Sequence, residues 1–339
     1  MTIDLNTIWF LLVGALLGGY AVLDGFDLGV GVLHLFARKD EHRRLFLNAI
    51  GPVWDGNEVW LVTGGGALFA AFPPVYATVF SGFYLAMVLL LVGLIFRAVA
   101  IEFRSKQKGA RWRQAWDLSF SAASVLSSFI MGVAFGNVIW GLPLDASGEF
   151  TGSFLSLLNP FALLTGLTTV ALFAMHGAIF LALKTEGEAH QMVEGWINNA
   201  IIFFVVCYAT TTMATLIYRP EMTTLIKAHP AGFLLPVLTM LAIANVPRMI
   251  HLRRYGWAFL SSTAAVLGLF ALVGVGMFPT LVRADDPALS LTAYNAASSP
   301  ATLKIMLIIA LIGIPLVLGY TFSIYWIFRG KVKLDSMSY

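Results

Sequence analysis

The chain has 339 residues, 59% of them hydrophobic and only 12% charged, against about 25% charged in soluble domains. That balance excludes a disordered chain, a secreted disulfide scaffold, a nucleic-acid module and a soluble globule, and leaves an all-α polytopic membrane protein. The net charge of +3 is no ligand signal until its basic residues are placed, and the single cysteine, Cys207, sits in an apolar run and can form no intrachain disulfide.

A bilayer-spanning helix needs roughly 20 mostly apolar residues. Such runs predict nine transmembrane helices at about 8–36, 50–73, 76–103, 118–141, 160–184, 197–218, 231–250, 257–279 and 303–328. The opening MTIDLNT lacks a basic region, so the first run reads as a retained helix rather than a leader. The second and third runs are parted only by Phe72-Pro73-Pro74, and Pro236 and Pro247 interrupt the seventh. Sixteen Lys and Arg residues fall on the connections of one side, among them Arg38, Arg43, Arg104, Arg113, Arg248 and Arg253, against four on the other. The positive-inside rule then predicts an outside amino terminus and a cytoplasmic carboxyl terminus in the bacterial inner membrane.

Once the connections are set aside, few ionisable residues remain within the spans. They are Asp24 and Asp27 on the first, Asp55 and Glu58 on the second, Arg97 on the third and His176 on the fifth. His34 and Glu102 lie near basic ends, where snorkelling to the headgroups is expected. Each central charge costs roughly 2.5–3.5 kcal/mol on insertion scales, so such residues face protein and usually carry function. Measured at about 1.5 Å per residue, the group lies between the basic surface and the midplane. Asp24 and Asp27 are three apart, as are Asp55 and Glu58, so each pair shares a helix face. Four acids against one arginine suit a proton path of Asp55, Glu58 and Asp24, while Asp27 with Arg97 reads as a buried ion pair tying two helices. His176 reads as a hydrogen-bonded packing residue in preference to a haem ligand, and no metal site is expected. Buried acids on a Gly-rich helix equally suit a proton- or cation-coupled transporter, and the residues alone leave both readings open.

The motifs narrow the choice. Asp24-Gly-Phe-Asp27-Leu-Gly-Val-Gly31, Pro52-Val-Trp-Asp55-Gly-Asn-Glu-Val-Trp60 and Gly64-Gly-Gly-Ala-Leu-Phe-Ala-Ala-Phe-Pro73 resemble subunit II of cytochrome bd quinol oxidases, as do Phe96-Arg97, Gly132-Val-Ala-Phe-Gly-Asn137 and Met277-Phe-Pro279. Glu58, where some members carry glutamine, is the residue that hints at the cyanide-insensitive branch. The resemblance implies one membrane domain over 1–339: a four-helix bundle over about 1–141, a second over about 160–279 and a peripheral helix at about 303–328. It implies a heterodimer with a subunit I that carries haem b and haem d, with small single-helix accessory subunits in some members. The complex takes quinol and dioxygen as substrates, and a quinone can be held structurally in subunit II. It assigns Asp55 and Glu58 to a proton path, Asp27 and Arg97 to a pair supporting the partner's haem environment, and Trp54 and Trp60 to the interface and a dioxygen route.

Overall fold

The computed structural model describes residues 4–334. Twelve helices carry the chain: α1 Leu5–Leu33, α2 Asp40–Ile50, α3 Trp54–Ala71, α4 Pro73–Gly82, α5 Tyr84–Phe103, α6 Ala110–Trp140, α7 Pro160–Lys184, α8 Gly187–Tyr218, α9 Thr224–Ala228, α10 Leu234–His251, α11 Tyr255–Met277 and α12 Pro300–Ile327. Two short strands, β1 Thr280–Val282 and β2 Leu291–Thr292, pair antiparallel in the longest connection.

Among the described residues, eight helices are long and apolar enough to cross a membrane. α3 falls short of that measure because its hydropathy is diluted by Asp55, Asn57, Glu58 and four glycines. It nevertheless runs antiparallel to α1 through the same depth. Asn57 donates to Leu23 O, the Trp60 ring lies against Gly19, and Gly64 packs on Leu16 and Leu17. The expected second run, 50–73, thus starts later than predicted, because a separate amphipathic helix, α2, takes 40–50. The expected third run, 76–103, breaks at Phe83 between α4 and α5.

The two sides are each closed by polar contacts. On the basic side, Lys39 reaches Glu188, and Lys331 donates to the carbonyls of Ala182 and Thr185. On the other, residue 142 pairs with the 283–285 segment, and Ser298 donates to Ala70 O and Ala71 O.

The passes pack by close backbone approach. A Cβ on Gly29 of α1 would stand 1.8 Å from the Phe173 carbonyl oxygen of α7, and one on Gly177 would stand 2.5 Å from the Gly29 carbonyl carbon. On α6, a Cβ at Gly132 would lie 2.7 Å from Gly166 Cα of α7. Small residues are the means by which helices associate where lipid is as apolar as leucine. As a result α7 is the most enclosed pass, with 78% of its apolar window buried, against 6% for α12. That last helix is therefore peripheral, as expected. It is fastened near its two ends, where Trp9 Nε1 donates to Leu303 O at 2.9 Å and Tyr325 Oη donates to Asn57 Oδ1 at 2.9 Å.

Candidate functional site

Three helices build the central cluster. The α1–α3 crossing brings Asp24 and Asp27 level with the first turns of α3, and α5 delivers Arg97 from the adjacent side. Arg97 and Asp24 are both fully buried, and Arg97 donates twice: Nη1 to Asp24 Oδ2 at 2.8 Å and Nη2 to Asp24 Oδ1 at 2.5 Å. This bidentate geometry is the strong form of an arginine–carboxylate pair. Arg97 Nη2 also lies 2.7 Å from Glu58 Oε1, close enough for an ion pair but off the hydrogen-bond direction.

The expected Asp27–Arg97 pair is therefore corrected. Arg97 is held by Asp24 and Glu58, and Asp27 belongs to a separate chain of hydrogen bonds. Asn57 Nδ2 donates to Asp27 Oδ2 at 2.7 Å, Tyr325 Oη donates to Asn57 Oδ1, and Asp27 Oδ1 is buried with no protein partner. Asp24 and Asp27 are three residues apart on one helix face, and a small rotation of α1 decides which of them meets the guanidinium.

The two acids of α3 differ in depth. Glu58 is 23% exposed at its side chain, while Asp55 is exposed in this chain. Asp55 thus stands at the surface of the subunit, at the end of an exposed stripe that continues through Val59, Val62 and Phe69 at spacings of four, three and seven. From Asp55 through Glu58 to Arg97 and Asp24, and beyond them to Asp27, the acids step from surface to interior. Trp54 is half-buried against the core, and the half-buried Trp60 turns its ring onto Gly19 of α1.

A second cluster lies toward the basic end. Asp117 of α6 is 1% exposed, and His34 Nε2 lies 2.6 Å from its Oδ1. Arg104 Nε donates to Oδ1 at 2.5 Å and Arg43 Nη1 to Oδ2 at 2.9 Å. Arg104 continues to Asp40, which also accepts from Arg113 at 2.8 Å. His34 is fully buried, which overturns its expected snorkelling: its Nε2 meets the carboxylate of Asp117 rather than the headgroup layer, and its Nδ1 is buried with no hydrogen-bond partner. Asp117 is missed in the sequence because the apolar run starts at 118, whereas the helix starts at Ala110 and carries polar residues for two turns into the protein. Asn57 and Tyr325 are missed because neither is ionised at neutral pH, although the Trp-Asp-Gly-Asn-Glu run is a signal for Asn57.

His176 lies in the core, its Nδ1 2.7 Å from Ser262 Oγ and its Nε2 3.1 Å from Val22 O, with the Phe259 ring stacked at 4.8 Å. Both ring nitrogens are engaged, so this histidine does not fit as an axial ligand to a haem iron. Its contacts are a hydroxyl, a backbone carbonyl and a stacked ring.

Comparison with known proteins places this architecture. The profile of the cytochrome bd terminal oxidase subunit II family matches residues 5–328. The chain is 37% identical to cytochrome bd-I ubiquinol oxidase subunit 2 of Escherichia coli K12, over 98% of this chain and 96% of that one. It is 36% identical to cytochrome bd ubiquinol oxidase subunit 2 of Bacillus subtilis 168, over 97% of each. The fold is similar to a chain of the bd oxidase structure from Geobacillus thermodenitrificans, with a TM-score of 0.79 at 18% identity, covering 96% of this chain and 98% of that one. With the helical passes, the buried acids and the full-length matches in agreement, the chain belongs to the cytochrome bd terminal oxidase subunit II family.

Proposed function

We propose that this chain pairs with a haem-bearing subunit I in a quinol:dioxygen oxidoreductase of the bacterial inner membrane, and conducts protons from the cytoplasmic side toward that partner. The single observation that carries this reading is the graded burial of the acids from α3 to α1: Asp55 exposed and Glu58 part-buried on α3, Asp24 and Asp27 enclosed on α1. Asp55 and Glu58 accept protons at the subunit surface, and Asp24 shares the Arg97 guanidinium with Glu58, so a proton arriving at either carboxyl changes the pairing at the other. Such coupling is what a relay needs and an isolated ion pair lacks. The exposed stripe beside Asp55 supplies the apolar surface for the partner, with Trp54 at its end and Trp60 one layer inside, where a dioxygen route would run.

The haem b and haem d held by the partner would supply electron transfer and oxygen binding. The resident residues of this chain contribute proton positions and packing. The sixteen basic residues on one face support a cytoplasmic carboxyl terminus and an amino terminus outside. Family membership supports the oxidase reading over the transporter.

The test is Asp55→Asn and Glu58→Gln in an assembled, haem-replete complex. Oxygen uptake and proton consumption from the cytoplasmic side should fall by roughly a hundredfold, the low end for loss of a proton-transfer group. Unchanged turnover in both variants would overturn the relay.

A further inference from the structure

At the basic end, away from both charge clusters, α8 and α10 diverge around a cavity of about 300 Å³ lined by Glu194, Asn198, Pro247, Ile250, His251 and Arg253. Its chemistry is two-signed. One wall carries the Glu194 carboxylate, which accepts from Tyr255 Oη through one oxygen, and the Asn198 amide. The other carries the His251 imidazole and the Arg253 guanidinium, and Arg253 is exposed and makes no side-chain hydrogen bond or ion pair among the described residues.

Arg253 is also the one described non-glycine residue in the left-handed backbone region, at φ 54. It follows the end of α10, where its N–H bonds to Ile250 O and that of Arg254 to Met249 O. Helix ends of this shape ordinarily take glycine or asparagine. A long cation held there, against its backbone preference and without a protein partner, points to a ligand outside the chain.

Below the cavity both walls become apolar. On α8 the stripe at intervals of four runs Glu194, Asn198, Ile202, Val206, the last two 61% and 58% exposed. On α10 the residues deeper than Pro247 include the exposed Met240 and Leu241. Polar and two-signed at the surface, apolar beneath, this pattern fits an amphiphile lying between two helices at the headgroup layer.

We propose that the cavity seats the headgroup of a phosphoethanolamine phospholipid. Its phosphate meets Arg253 and His251, its ammonium donates to Glu194 and Asn198, and its acyl chains follow the Ile202 and Met240 walls. An ammonium offers three N–H donors to these acceptors, whereas a trimethylammonium head offers none, and an anionic glycerol head leaves Glu194 uncompensated.

Native mass spectrometry of the delipidated whole complex, reloaded in bilayers with equal phosphatidylethanolamine, phosphatidylcholine and phosphatidylglycerol, tests this. The ethanolamine lipid should be retained in preference. Arg253→Ala should lower that retention by about tenfold, the worth of one charge-assisted contact, while Arg253→Lys should keep most of it. Glu194→Gln, which preserves an acceptor for Tyr255, should abolish the preference among headgroups without lowering total lipid. Equal retention of the three lipids by the parent complex, or no response to Arg253→Ala at unchanged melting temperature, would overturn the proposal. Displacement by soluble O-phosphoethanolamine or inorganic phosphate would overturn the lipid assignment in favour of a soluble anion.

Discussion

Two clusters of buried charge lie along α1 and α5, and they differ in balance. Around Asp117 each carboxylate oxygen has a cationic donor, and Arg43, Arg104 and Arg113 outnumber Asp40 and Asp117. Around Arg97 one guanidinium faces Asp24 and Glu58, while Asp27 is left to an amide and Asp55 to the surface. Saturated charge fixes geometry, because removing any member strands the rest. Surplus carboxyls give protons places to stop. The difference assigns the first cluster to holding the ends of α1, α5 and α6 together, and the second to traffic.

Substitutions that strike one cluster and spare the other test this assignment. The largest effect is expected from Asp117→Ala, which leaves the 1% exposed Arg104 without its buried partner. That should cost about 3–5 kcal/mol and deplete assembled complex on solubilisation, read by yield and melting temperature. Asp24→Asn should lose less stability, because Glu58 stays near Arg97; equal losses would erase the distinction. Next comes Gly29→Ala, placed on α1 between the clusters. Its methyl meets the Phe173 carbonyl, so α1 and α7 must part, at about 1–3 kcal/mol, and thermal unfolding of the complex should shift accordingly. Tyr325→Phe touches the central cluster alone. Losing its bond to Asn57 should cost about 0.5–1.5 kcal/mol and raise hydrogen exchange in α12 but not near Asp117. The smallest effect belongs to an acid outside both. Hydrogen bonds from the Ser147 side chain and the Glu149 and Ser147 amides hold the exposed Asp145 below the usual carboxylate range. A lowered folded value stabilises the 145–149 turn at pH above the unfolded value and loses that contribution as pH falls through the folded one. Protection factors of the Ser147 and Glu149 amides, relative to their intrinsic exchange rates at each pH, should therefore fall on acidification while those of the rest of the protein hold.

Much of this was legible in the residues. The passes follow from apolar runs, the two sides from lysine and arginine, and the acid cluster from charges that lipid does not tolerate. What was hidden depended on distances between helices. Asp24 and Asp27 are interchangeable by spacing, and only the rotation of α1 against α5 gives Arg97 to Asp24. Asp117 was concealed because a helix can enter the protein two polar turns before its apolar run begins. In the sequence His34 points outward because its burying partner lies 83 residues away. The exposure of Asp55 follows from which edge of α3 faces α1, a choice made by Gly19 yielding room to Trp60.

The fastening of α12 has a consequence for how the subunit is made. Synthesis proceeds from the amino terminus, so α12 leaves the ribosome well after α1 and α3, yet the indole of Trp9 and the amide oxygen of Asn57 both wait for it. Until it docks, the earliest part of the chain is chemically unfinished. The order of translation thereby makes a later helix the keystone of two earlier ones.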